Sequence, residues 1–120
     1  MKTILIVEDE ARIGRAYKML LTADGYNVIG VSSAEEANEI LKRQAVDLVL
    51  LDLRMPDVSG DILYEVMQLF HKKTKVMVSS VYHVDKQREL IQEAADYYDK
   101  SQGIAELLKK IRALLPEMAS

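Results

Sequence analysis

The sequence contains no cysteine, which excludes disulfides and thiolate metal sites and suits a reducing compartment such as the cytoplasm. No apolar run approaches the ~20 residues that cross a bilayer. Met1-Lys2-Thr3 passes into a strand-like run without a small-residue cleavage site, so neither a membrane role nor secretion is expected. A basic stripe is missing too: 16 Lys and Arg against 19 Asp and Glu give a net charge of -3, and direct nucleic-acid binding is not expected. Neither a glycine-rich phosphate loop nor a dinucleotide fingerprint occurs, which leaves nucleotide binding little support. Linkers, low-complexity tracts and solenoid repeats are also lacking.

What is present is an ordinary globular balance, 49% hydrophobic and 29% charged over 120 residues. That length has room for one core, and a single domain over 1–120 is expected. Short apolar runs alternate with segments of helical period. Ile4-Leu5-Ile6-Val7 reads as a strand covered on both faces. Ile13, Ala16, Tyr17, Leu20 and Leu21 form one helix face, with Gly25 as its stop. Val28 to Val31 is a second strand, and Ser33 with Glu36 makes a capping box before Ala37, Ile40 and Leu41.

Leu48 to Leu51, closed by Asp52, is the strongest strand. A loop holding Pro56 and Gly60 leads to a helix with Leu63, Val66, Met67 and Phe70 inward. Val76 to Val78 is a fourth strand, followed by a weakly patterned helix over 84–95 and a short strand at Tyr97-Tyr98. Alternation along that strand predicts one tyrosine facing in and the other out. Ile104, Leu107, Leu108, Ile111 and Leu115 line the last helix, which Pro116 ends. Five strand-helix repeats imply an α/β fold: a five-stranded parallel sheet, flavodoxin-like order 2-1-3-4-5, with helices on both faces.

Ligands of such sheets sit beyond the carboxyl ends of the strands. Glu8-Asp9-Glu10, Asp52, Ser79-Ser80 and Asp99-Lys100 all fall there, on four neighbouring strands. Each has a duller explanation: Glu8 and Asp9 as helix caps, Asp52 as a loop acid, the serines as turn residues, Lys100 as a solvated lysine or a partner for Asp99. Together they describe a hard-metal and phosphate site, because carboxylates crowded on one rim repel unless a cation is present. A carboxylate there can attack a phosphoryl donor, with Mg²⁺ and a lysine neutralising the transferring oxygens. His71 and His83 are isolated and read as surface residues.

Three segments carry a family resemblance: Ile4-Leu5-Ile6-Val7-Glu8-Asp9-Glu10, then Asp47-Leu48-Val49-Leu50-Leu51-Asp52-Leu53-Arg54-Met55-Pro56 with Gly60, and Ala94-Ala95-Asp96-Tyr97-Tyr98-Asp99-Lys100. The chain resembles, along nearly its whole length, the chemotaxis-regulator-like receiver domains of two-component response regulators. The resemblance implies Asp52 as phosphoacceptor, and Glu8 and Asp9 as the acidic pair for Mg²⁺, with Asp52 and the backbone carbonyl of Arg54 completing the metal shell. It implies Lys100 as the partner of the phosphoryl group and Ser79 as the switch hydroxyl, with Ser80 as the alternative. Tyr97 matches the switch aromatic. A sensor histidine kinase or histidine phosphotransfer protein as donor, and a downstream effector protein or domain as receiver of the signal, are implied with it. The chain would promote its own phosphorylation and dephosphorylation without being an enzyme in the ordinary sense.

Three positions depart from the family pattern. Ser101 follows Lys100 where proline is usual, the interval from Ser79 to Lys100 is short, and Glu93 stands where glycine is common. The shape of the last loop and the length of the fourth helix are therefore open. Among rival functions, a flavin-binding electron carrier conflicts with the acidic loop after strand one. An aspartyl-phosphate phosphatase conflicts with Arg54 at the position of its second aspartate. A receiver-like interaction module that works without phosphorylation is the remaining alternative.

Overall fold

The structure, a computed structural model, describes residues 1–54 and 60–116. Met55 and Pro56 of the sequence reading lie outside the described residues. Strands β1 (Thr3–Val7), β2 (Asn27–Val31), β3 (Leu48–Asp52), β4 (Lys75–Ser80) and β5 (Asp96–Asp99) alternate with helices α1 (Ala11–Ala23), α2 (Ala34–Arg43), α3 (Gly60–Phe70), α4 (Val84–Leu90) and α5 (Ile104–Leu114). A 3-10 turn at Lys100–Gln102 joins β5 to α5. The strands form one parallel sheet in the order β2-β1-β3-β4-β5, as the repeats predicted.

The local signals explain the boundaries. Gly25, with φ 97°, supplies the left-handed residue that closes α1. The Ser33 hydroxyl oxygen accepts the Glu36 backbone N–H at 3.2 Å and starts α2.

Register and alternation divide the core into two faces. Ile6, Leu50, Met77 and Tyr98 pack with Tyr17 and Leu21 of α1 and Leu107 and Ile111 of α5. Val7, Leu51 and Val76 pack on the other face with Leu41 of α2 and Leu63 and Met67 of α3. Val78, Tyr97, Leu53 and Ile91 extend that second face toward α4.

Several sequence expectations shift in detail. Phe70 is 74% exposed although its spacing pointed inward. It is the last residue of α3, one turn beyond the buried Met67. Ala16 is likewise exposed, and Ile104, at the first turn of α5, is 47% exposed. Tyr97 and Tyr98 do point to opposite faces, but both are buried, because β5 is covered by α4 on one side and α5 on the other. The expectation that one tyrosine faces out is overturned. The fourth helix stops at Leu90 rather than running to Ala95. Glu93 needs no glycine: among the described residues, only glycines have positive φ.

Candidate functional site

The face built on Ile6, Leu50 and Met77 continues past the carboxyl edge of the sheet as Glu8, Asp52 and Ser79. Two residues further along a strand returns to the same face, so these polar side chains extend the apolar rows that α1 and α5 cover. Register reinforces this: Asp52 is the partner of Ser79, and Ser79 of Tyr98. Lys100, two residues beyond Tyr98, reaches the same place. Glu8, Asp9, Glu10, Ile13, Asp52, Arg54, Val81 and Lys100 line one cleft of about 270 Å³.

Within it, the Lys100 ammonium lies 2.6 Å from Glu8 Oε1 and 3.4 Å from Asp52 Oδ2. Its side chain is 11% exposed and the two carboxylates still less. Lys100 is therefore neither a solvated lysine nor the partner of Asp99. Asp52 Oδ1 accepts the Arg54 backbone N–H at 3.1 Å, which fixes the carboxylate plane. Glu8 and Asp9 are not caps of α1, since the N-cap Glu10 makes no side-chain cap bond. Glu8 instead faces Lys100, and its second oxygen accepts the Glu10 N–H at 3.2 Å.

Glu8, Asp9 and Asp52 each offer a carboxylate oxygen within 4.8 Å of the others. Glu8 and Asp52 are buried and Asp9 exposed, so the cluster opens to solvent on one side. Burial pushes the Glu8 carboxyl up to about 7, opposed by its hydrogen bond to Lys100 and reinforced by the charge of Asp52. One lysine does not balance three acids, and a hard divalent cation fits the donor set: oxygen ligands only, two or three of them carboxylates, with an open side for water and phosphate.

The serines separate cleanly. Ser79 shares the face of Asp52, and among the described residues its buried Oγ has no hydrogen-bond partner. Ser80 points the other way and accepts the Tyr82 N–H at 3.2 Å. Tyr97 also lies on that other face, packed with Leu53, Val78 and Ile91. Its hydroxyl donates to the Ile91 carbonyl and accepts the Ala94 N–H, and the Arg88 guanidinium sits 4.7 Å from its ring centroid. The structure thus brings Glu8, Asp9, Asp52, Ser79 and Lys100 together, with Arg54 at the edge, and sets Tyr97 on the opposite side of the sheet.

A model of the response regulator receiver domain matches residues 4–112. The chain belongs to this family. Curated relatives of the receiver include the transcriptional regulatory protein KdpE of Mycobacterium tuberculosis, 34% identical over 114 residues, 94% of this chain and 50% of that protein. The cell cycle response regulator CtrA of Brucella abortus is 31% identical over 93% of this chain and 49% of its own. The receiver therefore spans about half the length of these relatives. Among solved structures, the response regulator TrrA of Thermotoga maritima, in complex with Mg²⁺-BeF, has a TM-score of 0.87 at 31% identity, covering 95% of this chain and 99% of its own. A CheY-like receiver of Methanospirillum hungatei has a TM-score of 0.89 at 27% identity, covering 96% and 94%. TrrA has also been solved with the histidine kinase ThkA.

The receiver's departure at Ser101 has a structural compensation. Asp99 Oδ1 accepts both the Ser101 backbone N–H at 2.8 Å and its hydroxyl at 2.7 Å, while Gln102 Oε1 accepts the Asp99 N–H at 3.2 Å. This reciprocal cap shapes the turn after Lys100, and the backbone donor it uses is one that proline lacks. Sequence reasoning missed one buried polar group of the receiver. Gln87 of α4 donates to the Tyr82 and Tyr98 carbonyls at 2.7 and 2.8 Å. The available signal was a polar-tipped side chain where the helix pattern calls for an apolar one.

Proposed function

We propose that this receiver domain is a phosphorylation switch in which Asp52 accepts a phosphoryl group from the phosphohistidine of a sensor histidine kinase or histidine phosphotransfer protein. The observation that carries this reading is the convergence of Glu8, Asp9, Asp52 and Lys100 in one cleft, with Asp52 held by the Arg54 N–H. Glu8, Asp9, Asp52 and the Arg54 carbonyl would hold Mg²⁺. When bound, that ion supplies Lewis-acid neutralisation of the phosphoryl oxygens and so lowers the barrier to attack by an anion.

The chain's own groups do the remaining work. An Asp52 carboxylate oxygen attacks phosphorus, the nitrogen–phosphorus bond of the donor breaks, and the imidazole leaves and takes up a proton. Lys100, already 3.4 Å from Asp52 Oδ2, stabilises charge on the transferred group. Ser79 offers a buried hydroxyl with no other bond to lose and donates to a phosphoryl oxygen. Water later attacks phosphorus, releasing inorganic phosphate and restoring the carboxylate. The rearrangement of Ser79 and Tyr97 alters the face formed by α4, β5 and α5, which a downstream effector protein or domain reads. The domain works in the cytoplasm, without direct nucleic-acid or membrane contact.

Phosphotransfer tests this directly. A ³²P-labelled histidine kinase domain is mixed with the chain, with Asp52→Asn, and with either in EDTA. Label moving only to the wild-type chain with Mg²⁺ present supports the reading. Absence of transfer from several such donors, with the fold intact, would favour the phosphorylation-independent interaction module.

A further inference from the structure

Gln87 is a polar side chain with no exposure at all, carried by a helix of only seven residues. Its Nε2 donates to the Tyr82 carbonyl at 2.7 Å and to the Tyr98 carbonyl at 2.8 Å. Only N–H groups can meet two carbonyl oxygens, so the acceptors settle which end of the carboxamide faces them. Both Nε2 protons are thereby used, and among the described residues the buried Oε1 has no partner. A carboxamide kept in a dry core with its oxygen unmet is held there by the bonds of its nitrogen.

Those bonds join two segments of the site. Tyr98 is the register partner of Ser79 and stands two residues before Lys100. Tyr82 stands three residues after Ser79, and Ser80 Oγ accepts its N–H at 3.2 Å. Side chains therefore hold Tyr82 at both its N–H and its carbonyl, and residues 79–82 are tied through Gln87 to the strand that leads to Lys100. Val81, inside that segment, lines the cleft, whereas Ser79 does not and is 2% exposed. A Ser79 hydroxyl that donates to a phosphoryl oxygen in the cleft must approach it. The segment it draws along is the one that Gln87 restrains.

We propose that Gln87 is a positioning residue that clamps residues 79–82 to β5 at rest. Phosphoryl capture by Ser79 parts the Gln87–Tyr82 bond and leaves the Gln87–Tyr98 bond in place. The inference rests on the reading of Ser79 as donor to the phosphoryl group. Engagement then exchanges one buried hydrogen bond for another, which keeps the two arrangements close in free energy. Removing the clamp favours the engaged one.

Beryllofluoride with saturating Mg²⁺, titrated and followed by amide chemical shifts, tests the proposal. Gln87→Met keeps the length of the side chain and loses its donors. Beryllofluoride should then bind about three- to tenfold more tightly, the worth of one buried hydrogen bond. A merely structural role would change stability and leave the affinity alone. Ser79→Ala should bind more weakly, and Gln87→Met added to Ser79→Ala should change nothing further. In the wild-type chain one of the two Gln87 Nε2 proton signals should move upfield on saturation and the other stay, while in Ser79→Ala both should stay. Urea unfolding of each variant confirms that it is folded. If the wild type takes up no beryllofluoride, the reading of the phosphoryl site falls; if Ser79→Ala binds like wild type, the reading of Ser79 falls. Either result ends this inference. Suppose instead that Ser79→Ala weakens binding, but Gln87→Met does not tighten it, acts equally without Ser79, or both wild-type Nε2 signals stay. Only the clamp is then overturned, and Ser79 turns without its segment.

Discussion

Lys100 is held more closely by Glu8 than by Asp52: its ammonium lies 2.6 Å from Glu8 Oε1 and 3.4 Å from Asp52 Oδ2. The residue proposed to meet the phosphoryl group thus rests on a carboxylate proposed to hold the metal. On that reading, lysine and cation compete for the same negative charge. Lys100→Met should therefore raise Mg²⁺ affinity by about tenfold, the effect of removing one partly screened charge at contact distance, while slowing phosphorylation by acetyl phosphate at least as much. Isothermal titration and a phosphorylation time course measure the two halves separately. Unchanged Mg²⁺ affinity would show that the lysine and the metal do not share Glu8.

The Asp99 cap makes a pH-dependent prediction. The Ser101 backbone N–H and hydroxyl hold the Asp99 carboxyl below the usual carboxylate range. A carboxyl depressed in the folded state stabilises above its unfolded value and loses that contribution as pH falls through the folded one. Asp99→Asn should thus be less stable than wild type at pH 7, with the gap closing below about pH 4. Ser101→Pro, which removes the backbone donor, should cost about 1 kcal/mol at pH 7. Urea unfolding at the two pH values checks both. A gap independent of pH would mean that the cap is not charge-assisted.

Tyr97 ties the segment after α4 through its hydroxyl, which bonds the Ile91 carbonyl and the Ala94 N–H. Tyr97→Phe should lower stability by about 1 kcal/mol and speed amide exchange at Ala94 without exposing the β4 core. Hydrogen exchange resolved by residue would show whether the loosening is local.

The phase of α3 is testable by contrast. Met67 is 1% exposed and Phe70 74%. Met67→Ala should cost about 2–5 kcal/mol, and Phe70→Ser less than about 0.5 kcal/mol. Comparable losses would restore the inward placement that the sequence spacing suggested.

Phe70 also marks where the sequence stopped being legible. Apolar runs such as Leu48 to Leu51 and the spacing of Leu107 and Ile111 carry strand and helix assignments, because burial on both faces of a parallel sheet leaves little choice. The convergence of Glu8, Asp52 and Lys100 followed from topology alone, since strand ends in this order are neighbours. What periodicity cannot register is where an element outruns its support. Phe70 and Ile104 fit the inward spacing yet stand at helix ends and are largely or half exposed. Tyr97 and Tyr98 alternate as expected, but alternation assigns faces and not exposure. The separation of Ser79 from Tyr97 could be read only from strand register, which places Ser79 against Asp52 and Tyr98 and leaves Val78 against Tyr97.

Everything proposed for this receiver depends on Asp52 being the phosphoacceptor of a metal-assisted site. Intact mass after incubation with acetyl phosphate, with and without Mg²⁺ and beside Asp52→Asn, tests it most directly. The account requires one added phosphoryl group on the wild-type chain, dependent on Mg²⁺ and absent from Asp52→Asn. An adduct of the same size and Mg²⁺ dependence on Asp52→Asn, or none on a correctly folded wild-type chain, would contradict it.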